Sequence, residues 1–415
     1  MTAADGPSLT GRPAPRVPFL WRRVCALGVA QIVSWGTLFY TIAVLGTAMR
    51  TDTGVGELWL FGSFTAGLFM SGVVSPIVGR QIDGHGGRRV LAAGSLLGAL
   101  ACGVLALAQG PLTLAAGWLL AGVAMAANLY DPAFATLHQI AGASYRRAVT
   151  ALTLFGGFAS TVFWPLSQFL LDTIGWRETF AVYAGLHLLV CLPLHWWSVP
   201  AGRTTTGTAH SPEASQPRGQ SRVGPVFVWL ATALSIAAFV SSAIAAHLIT
   251  LLTATGLSAR DAVLVGSLIG PMQVAGRIME FAFNRHVHAL AFGTFAFALM
   301  AFALAIFTQV HGIWIVALAF AIPYGWANGV MTIVRGTVPA ELFGHRDYGA
   351  LLGRLARPQF ILKAVAPFAL TLLFLVDPEH SLAPYALLLL TVLAVIAYQC
   401  AVRAARPWSG GGRRE

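Results

Sequence analysis

Apolar residues fill this chain in long blocks, without the alternation of a half-buried strand or the one-faced spacing of a helix in water. A helix needs roughly 20 apolar residues to cross the hydrocarbon core of a bilayer. That ruler gives about twelve spans. They fall at Val24–Met49, Glu57–Val78, Val90–Leu107, Leu112–Thr136, Val149–Leu171 and Thr179–Val199, then at Val226–Leu252, Ala262–Phe283, Ala289–Val310, Ile313–Val334, Phe360–Val376 and Leu382–Val402. The stretch Pro200–Gly224, with Thr204, Thr205, Thr206, Ser211, Pro212 and Pro217, has no apolar period and reads as a linker. The expected organisation is all-α and polytopic. A disordered tail covers 1–20, one six-helix bundle 21–199, the linker 200–224, a second six-helix bundle 225–402 and a basic tail 403–415.

Composition removes the water-soluble alternative. Of the 415 residues 57% are hydrophobic and 10% charged, against about 25% charged in an ordinary soluble domain. The net charge of +11 would suit nucleic acid, but its distribution does not. With the N-terminus placed in the cytoplasm, only Arg50, Arg177 and Arg260 fall outside; every other basic residue lies in inner tails, loops or span ends, Arg277, Arg335 and Lys363 among them. The charge is therefore a topology signal. It predicts both termini inside the cell, a multi-pass protein of the cell (inner) membrane in contact with lipid, and no nucleic-acid partner. Cys25, Cys102, Cys191 and Cys400 are too scattered for a disulfide or metal framework. No phosphate-cradling loop, HExxH or nucleophile elbow occurs, so no cofactor, metal or enzymatic chemistry is expected.

The halves echo each other. Gly79-Arg80-Gln81-Ile82-Asp83 closes the second span, and Gly276-Arg277-Ile278-Met279-Glu280 stands at the matching place roughly 200 positions later; Ala127-Asn128 is matched by Ala327-Asn328. Duplicated halves are the plan of many secondary transporters, with the substrate site between the repeats.

The inner stretch Gly79 to Arg89, carrying Gly79, Asp83, Gly86, Arg88 and Arg89, resembles the signature loop of the major facilitator superfamily, and Gly175-Trp176-Arg177 looks like its frequent outer turn. The resemblance spans nearly all of Arg22–Val402. It implies the major facilitator fold, with Asp83 and Arg88 helping to latch the halves when the cytoplasmic side is closed. The marks of proton-coupled drug antiporters are degraded: Trp118 stands where an Arg is usual before Gly122, and Trp164 precedes Pro165. Glu341-Leu342-Phe343-Gly344 with Tyr348-Gly349 and Gly353, and the region Phe64 to Leu91, look more like the monocarboxylate and oxalate–formate branch.

Ionisable groups within spans are costly, by at least ~2.5 kcal/mol each, and are functional candidates by default. Asp131, in the fourth span beside Asn128, Tyr130 and Pro132, reads as a proton carrier or as a carboxylate paired with a cation of the other half; Glu280 is the second proton-coupling candidate. Lys363, the sole lysine, is placed to hold a substrate carboxylate, to pair with Asp131 or Glu280, or to snorkel to the interface. Arg335 is the chemically better carboxylate clamp. The resemblance assigns the central cavity to spans one, four, seven and ten. Substrate-binding candidates there are Gln31, Ser34, Trp35, Tyr40, Asn128, Tyr130, His247, Tyr324, Trp326 and Asn328, each with interhelical packing as its alternative role. His286 and His288, two apart beside a loop, are only weak evidence for a metal site. The expected function is a monomeric secondary transporter of a small solute, an organic anion driven by protons. Efflux of a toxic compound is the alternative, and a non-transporting sensor a remote one.

Overall fold

A computed structural model describes residues 17–202, 220–283, 287–344, 347–377 and 379–405. Most of the two tails, the middle of the linker and His286 lie outside the described residues. The described chain is helical, and eleven helical runs are long and apolar enough to cross a membrane. One of them, Pro111–Ile174, has 64 residues and turns back on itself at the short Gly142–Ser144 segment. The Tyr130 ring of its first limb packs on Gly156 of its second, so this run accounts for two of the expected spans.

The helices are α1 (Leu20–Thr53), α2 (Glu57–His85), α3 (Gly87–Ala106), α4 (111–141), α5 (145–174), α6 (Trp176–Ser198), α7 (Gln220–Ala254), α8 (Ala259–Phe283), α9 (Ala289–Phe307), α10 (Trp314–Phe343), α11 (Tyr348–Val376) and α12 (Leu382–Ala405). Their pairing repeats with a shift of six. In the first half α2 packs on α4, α3 on α4 and α6, and α1 on α5; in the second, α8 packs on α10, α9 on α10 and α12, and α7 on α11. Between halves, α2 lies along α11 and α8 along the start of α5, again related by six. Phe134, Phe180 and Tyr183 fill one interior, and Phe297, Phe307 and Tyr398 the other. Large apolar side chains also cover the outside, with Leu189 and Val376 about four-fifths exposed. Water would not tolerate such a belt; hydrocarbon does.

Several helices run beyond the bounds expected from sequence, α10 reaching Phe343 rather than Val334. Helix α11 starts at Tyr348, twelve residues before the expected Phe360, because Arg354, Arg357 and Pro358 interrupt the apolar run without breaking the helix. Lys363 therefore sits mid-helix rather than just inside a span end. The stretch Gly79 to Arg89 is likewise helical except at Gly86, whose φ of +81° separates α2 from α3.

In α4 the helix is broken between Asn128 and Tyr130. Pro132 has no N–H for the Asn128 carbonyl. The buried Gln31 amide of α1 supplies it instead, donating from Nε2 to Asn128 O at 2.6 Å and more weakly to Leu129 O at 3.4 Å. The break places Asp131 in the first turn of a fresh helical segment, where free N–H groups favour negative charge.

Candidate functional site

Between the halves lies a cavity of about 810 Å³. Its walls are unlike in chemistry. Helices α1, α4 and α5 bring Trp35, Phe39, Tyr40, Tyr130, Phe158 and Trp164, whereas α8, α10 and α11 bring Arg277, Arg335 and Lys363. The aromatic side is continuous: Trp35 lies 5.0 Å from Tyr130, 5.1 Å from Phe39 and 6.1 Å from Tyr40, which meets Trp164 edge-on at 6.4 Å. On the other side the Phe360 ring faces two cations, with Arg335 at 5.3 Å and Lys363 at 5.8 Å from its centroid. No acidic residue lines this cavity among the described residues.

Asp131 closes the floor. Its carboxylate accepts a hydrogen bond from Arg335 Nη2, an ion pair between α4 and α10 that joins the two halves. On its far side Asp131 borders a void of about 10 Å³, with Ser75, Gly79, Gly349 and Gly353 around it, space for roughly one water. Arg277 is 5% exposed, and its Nε has no hydrogen-bond partner. It reaches across to α5, where a Cβ on Gly157 would overlap the guanidinium. Lys363 makes no ion pair within 4.0 Å among the described residues. Asn328 accepts from Ser241 at 2.7 Å and donates to the Tyr324 carbonyl at 3.2 Å, adding a polar shelf.

The hydrogen bonds between halves, among the described residues, lie at one end of the molecule. Asp83 of α2 accepts from the Gly349 and Ala350 amides, at 2.8 and 2.6 Å, capping α11 from across the interface. The approach is close enough that a Cβ on Gly79 would overlap the Gly349 carbonyl. The symmetry-related contact belongs to Glu280 of α8, which accepts from Arg146 Nε at 2.8 Å and Thr150 Oγ1 at 2.6 Å on α5. Between these clasps Tyr145 and Tyr348 both donate to the Gly336 carbonyl, the first at 2.7 Å. The cavity is shut at this end and extends away from it along α1, α5 and α8.

Of the sequence candidates, the cavity gathers Trp35, Tyr40, Tyr130, Tyr324, Asn328, Arg335 and Lys363, with Asp131 one contact below. It does not gather the others. Gln31 repairs the α4 break; Ser34 and Asn128 are fully buried inside the first half; His247 hydrogen-bonds the Pro367 carbonyl at 3.0 Å; Trp326 packs its backbone against Gly276; Glu280 serves the clasp. Arg88 reaches the Val199 carbonyl and Trp196 within its own half, so of the two residues expected to latch the halves only Asp83 is seen to bond across the interface. Arg89 is exposed. His288 pairs with Glu341 at 2.9 Å, and no cluster of metal-ligating side chains occurs among the described residues. Arg277 was counted in the sequence as a charge at an inner span end, and the structure corrects this to a cavity wall. Its signal was present: it belongs to the second-half echo of the Gly79 stretch.

Known proteins agree with this architecture. A family model described as Major Facilitator Superfamily matches residues 27–285. The E. coli fucose:proton symporter FucP superposes with a TM-score of 0.71 at 14% identity, covering 94% of this chain and 99% of that one. The proton:xylose symporter XylE gives a TM-score of 0.71 at 13% identity, over 92% of this chain and 95% of that one. No curated protein matches in sequence. The chain is thus a multi-pass membrane transporter belonging to the major facilitator superfamily.

Proposed function

We propose that the protein is a proton-coupled transporter of small organic anions, working as a monomer by alternating access. One observation carries this reading: three cationic side chains, Arg277, Arg335 and Lys363, face a cavity whose lining holds no carboxylate among the described residues. A substrate carboxylate supplies the missing counter-charge. Arg335 is held in reserve by Asp131. When a substrate carboxylate takes Arg335, Asp131 loses its partner, and a proton on Asp131 removes the unpaired charge. One monoanion and one proton then enter together, and the site's net charge is unchanged. FucP and XylE are both proton symporters, which favours the proton half of this scheme; neutral sugars do not match the cationic wall.

The arginine distribution supports a clasped end in the cytoplasm of a cell (inner) membrane, with both termini on that side. The arrangement is then outward-facing, and the bundles 21–199 and 225–402 are the moving halves, tethered by the linker 200–224. Asp83 and Glu280 act as clasps to be released on inward opening. The test is uptake of labelled carboxylates into proteoliposomes under an inward-directed proton gradient. Uptake is expected to follow the gradient and to be lost in Arg277→Gln. Uptake of neutral sugars with equal loss in that variant would overturn the anion assignment.

A further inference from the structure

The cavity is sorted into two chemistries more strictly than a small anion requires. Its cations all come from the second half, and its aromatic rings, Tyr324 apart, all come from the first. Tyr130 joins the two walls, lining the cavity with Arg277 and Arg335 while its ring packs on Trp35 at 5.0 Å. The rings meet at varied angles, 37° for Trp35 and Tyr40, 71° for Trp35 and Phe39 and 85° for Tyr40 and Trp164. Such a wall offers both faces and edges, the contacts that a flat ring makes at centroid distances of about 4.5–7 Å.

We infer that the cargo is an aryl carboxylate, seated with its ring against Trp35, Tyr40 and Trp164 and its carboxylate on Arg335 between Arg277 and Lys363. This deepens the organic-anion reading above and rests on it. The competing ligand classes each satisfy one wall only. Acetate or oxalate neutralises the cations and leaves the aromatic wall against water, where its apolar surface gains nothing. A neutral aromatic covers the rings and leaves the cations without a counter-charge. An aromatic amino acid adds an ammonium beside three existing cations. The space is ample, since 810 Å³ lies within the range of about 300–1,000 Å³ of sites for drug-sized ligands.

The experiment is a set of binding measurements on the purified full chain in detergent, by calorimetry and by ligand-induced thermal stabilisation. The probes are benzoate, phenylacetate, cyclohexanecarboxylate, acetate, oxalate and benzamide. Benzoate or phenylacetate is expected to bind about tenfold or more tighter than acetate or oxalate, and tighter than cyclohexanecarboxylate. Trp164→Leu, at a half-exposed position, and Tyr40→Leu as a second variant are expected to weaken benzoate far more than acetate and so to erase most of that preference. Arg277→Gln should weaken every anion. If acetate and oxalate bind as tightly as benzoate, the aryl assignment falls and the anion reading stands. Equal binding of cyclohexanecarboxylate overturns the aromatic requirement in the same way. If benzamide binds as well as benzoate while the small anions do not bind, both readings fall together.

Discussion

A guanidinium kept out of water without a carboxylate beside it is unstable on its own account, and Arg277 is such a group. Its neighbour Arg335 is not, because Asp131 neutralises it. The difference separates two predictions. Arg277→Gln removes a standing attraction for the substrate, so anion affinity should fall by about tenfold or more, a loss of roughly 1.5–3 kcal/mol for a charged hydrogen bond; an unchanged Kd would remove Arg277 from the site. Asp131→Asn keeps the shape of the floor and removes the proton acceptor. Stimulation of uptake by a proton gradient should vanish while substrate exchange across the membrane continues, and gradient-driven uptake at the normal rate would exclude Asp131 from coupling. Sequence reading reached Asp131, Arg335 and Lys363 because charge inside an apolar run stands out. It misplaced Arg277 because the residue lies near the end of its helix, where the excess of inner arginines supplies a sufficient topological reason for it. Only the approach of α5, bare at Gly157, reveals what the guanidinium faces.

Among the helices, α4 shows how one imperfection positions a site. Pro132 frees a carbonyl, Gln31 satisfies it from another helix, and the restarted segment presents Asp131 at its beginning. Gln31→Leu leaves that carbonyl unpaired in an apolar interior at a cost of about 1–3 kcal/mol. The melting temperature of the purified protein should drop by several degrees, and coupling should weaken with it; an unaltered melting temperature would mean that the carbonyl finds another partner. The polar group of Asn128, Tyr130 and Asp131 beside Pro132 was visible in the sequence, but Gln31 looked like a cavity residue because both readings ask the same thing of it, an inward-facing amide. The start of α11 was hidden for the opposite reason. Apolar periodicity reports contact with lipid, and the first turns of α11, holding Tyr348 and Gly349, are packed on α2, α4 and α5.

Across the whole molecule, the six-helix shift in pairing makes the clasps equivalent: Asp83 of α2 bonding α11 and Glu280 of α8 bonding α5 close the same end from opposite sides. Neutralising both, as Asp83→Asn with Glu280→Gln, should increase labelling from the cytoplasm of a cysteine introduced at Tyr324; labelling no faster than in the parent would show that the clasps do not hold the closed state. The exchange of partners on Arg335 also fixes an electrical property. If each monoanion travels with one proton, an imposed potassium diffusion potential should leave the uptake rate unchanged, and a rate that follows the voltage would break that stoichiometry. Twelve crossings and two halves were legible because span length and repetition are one-dimensional signals, whereas the ion pair between residues 131 and 335 exists only once the halves meet. The loneliness of Lys363 has a practical sequel. The chain carries a single side-chain amine, and that amine looks into the cavity, so an acylating reagent has one interior target per molecule. The degree to which bound cargo shields that nitrogen would then report occupancy directly, with no engineered label.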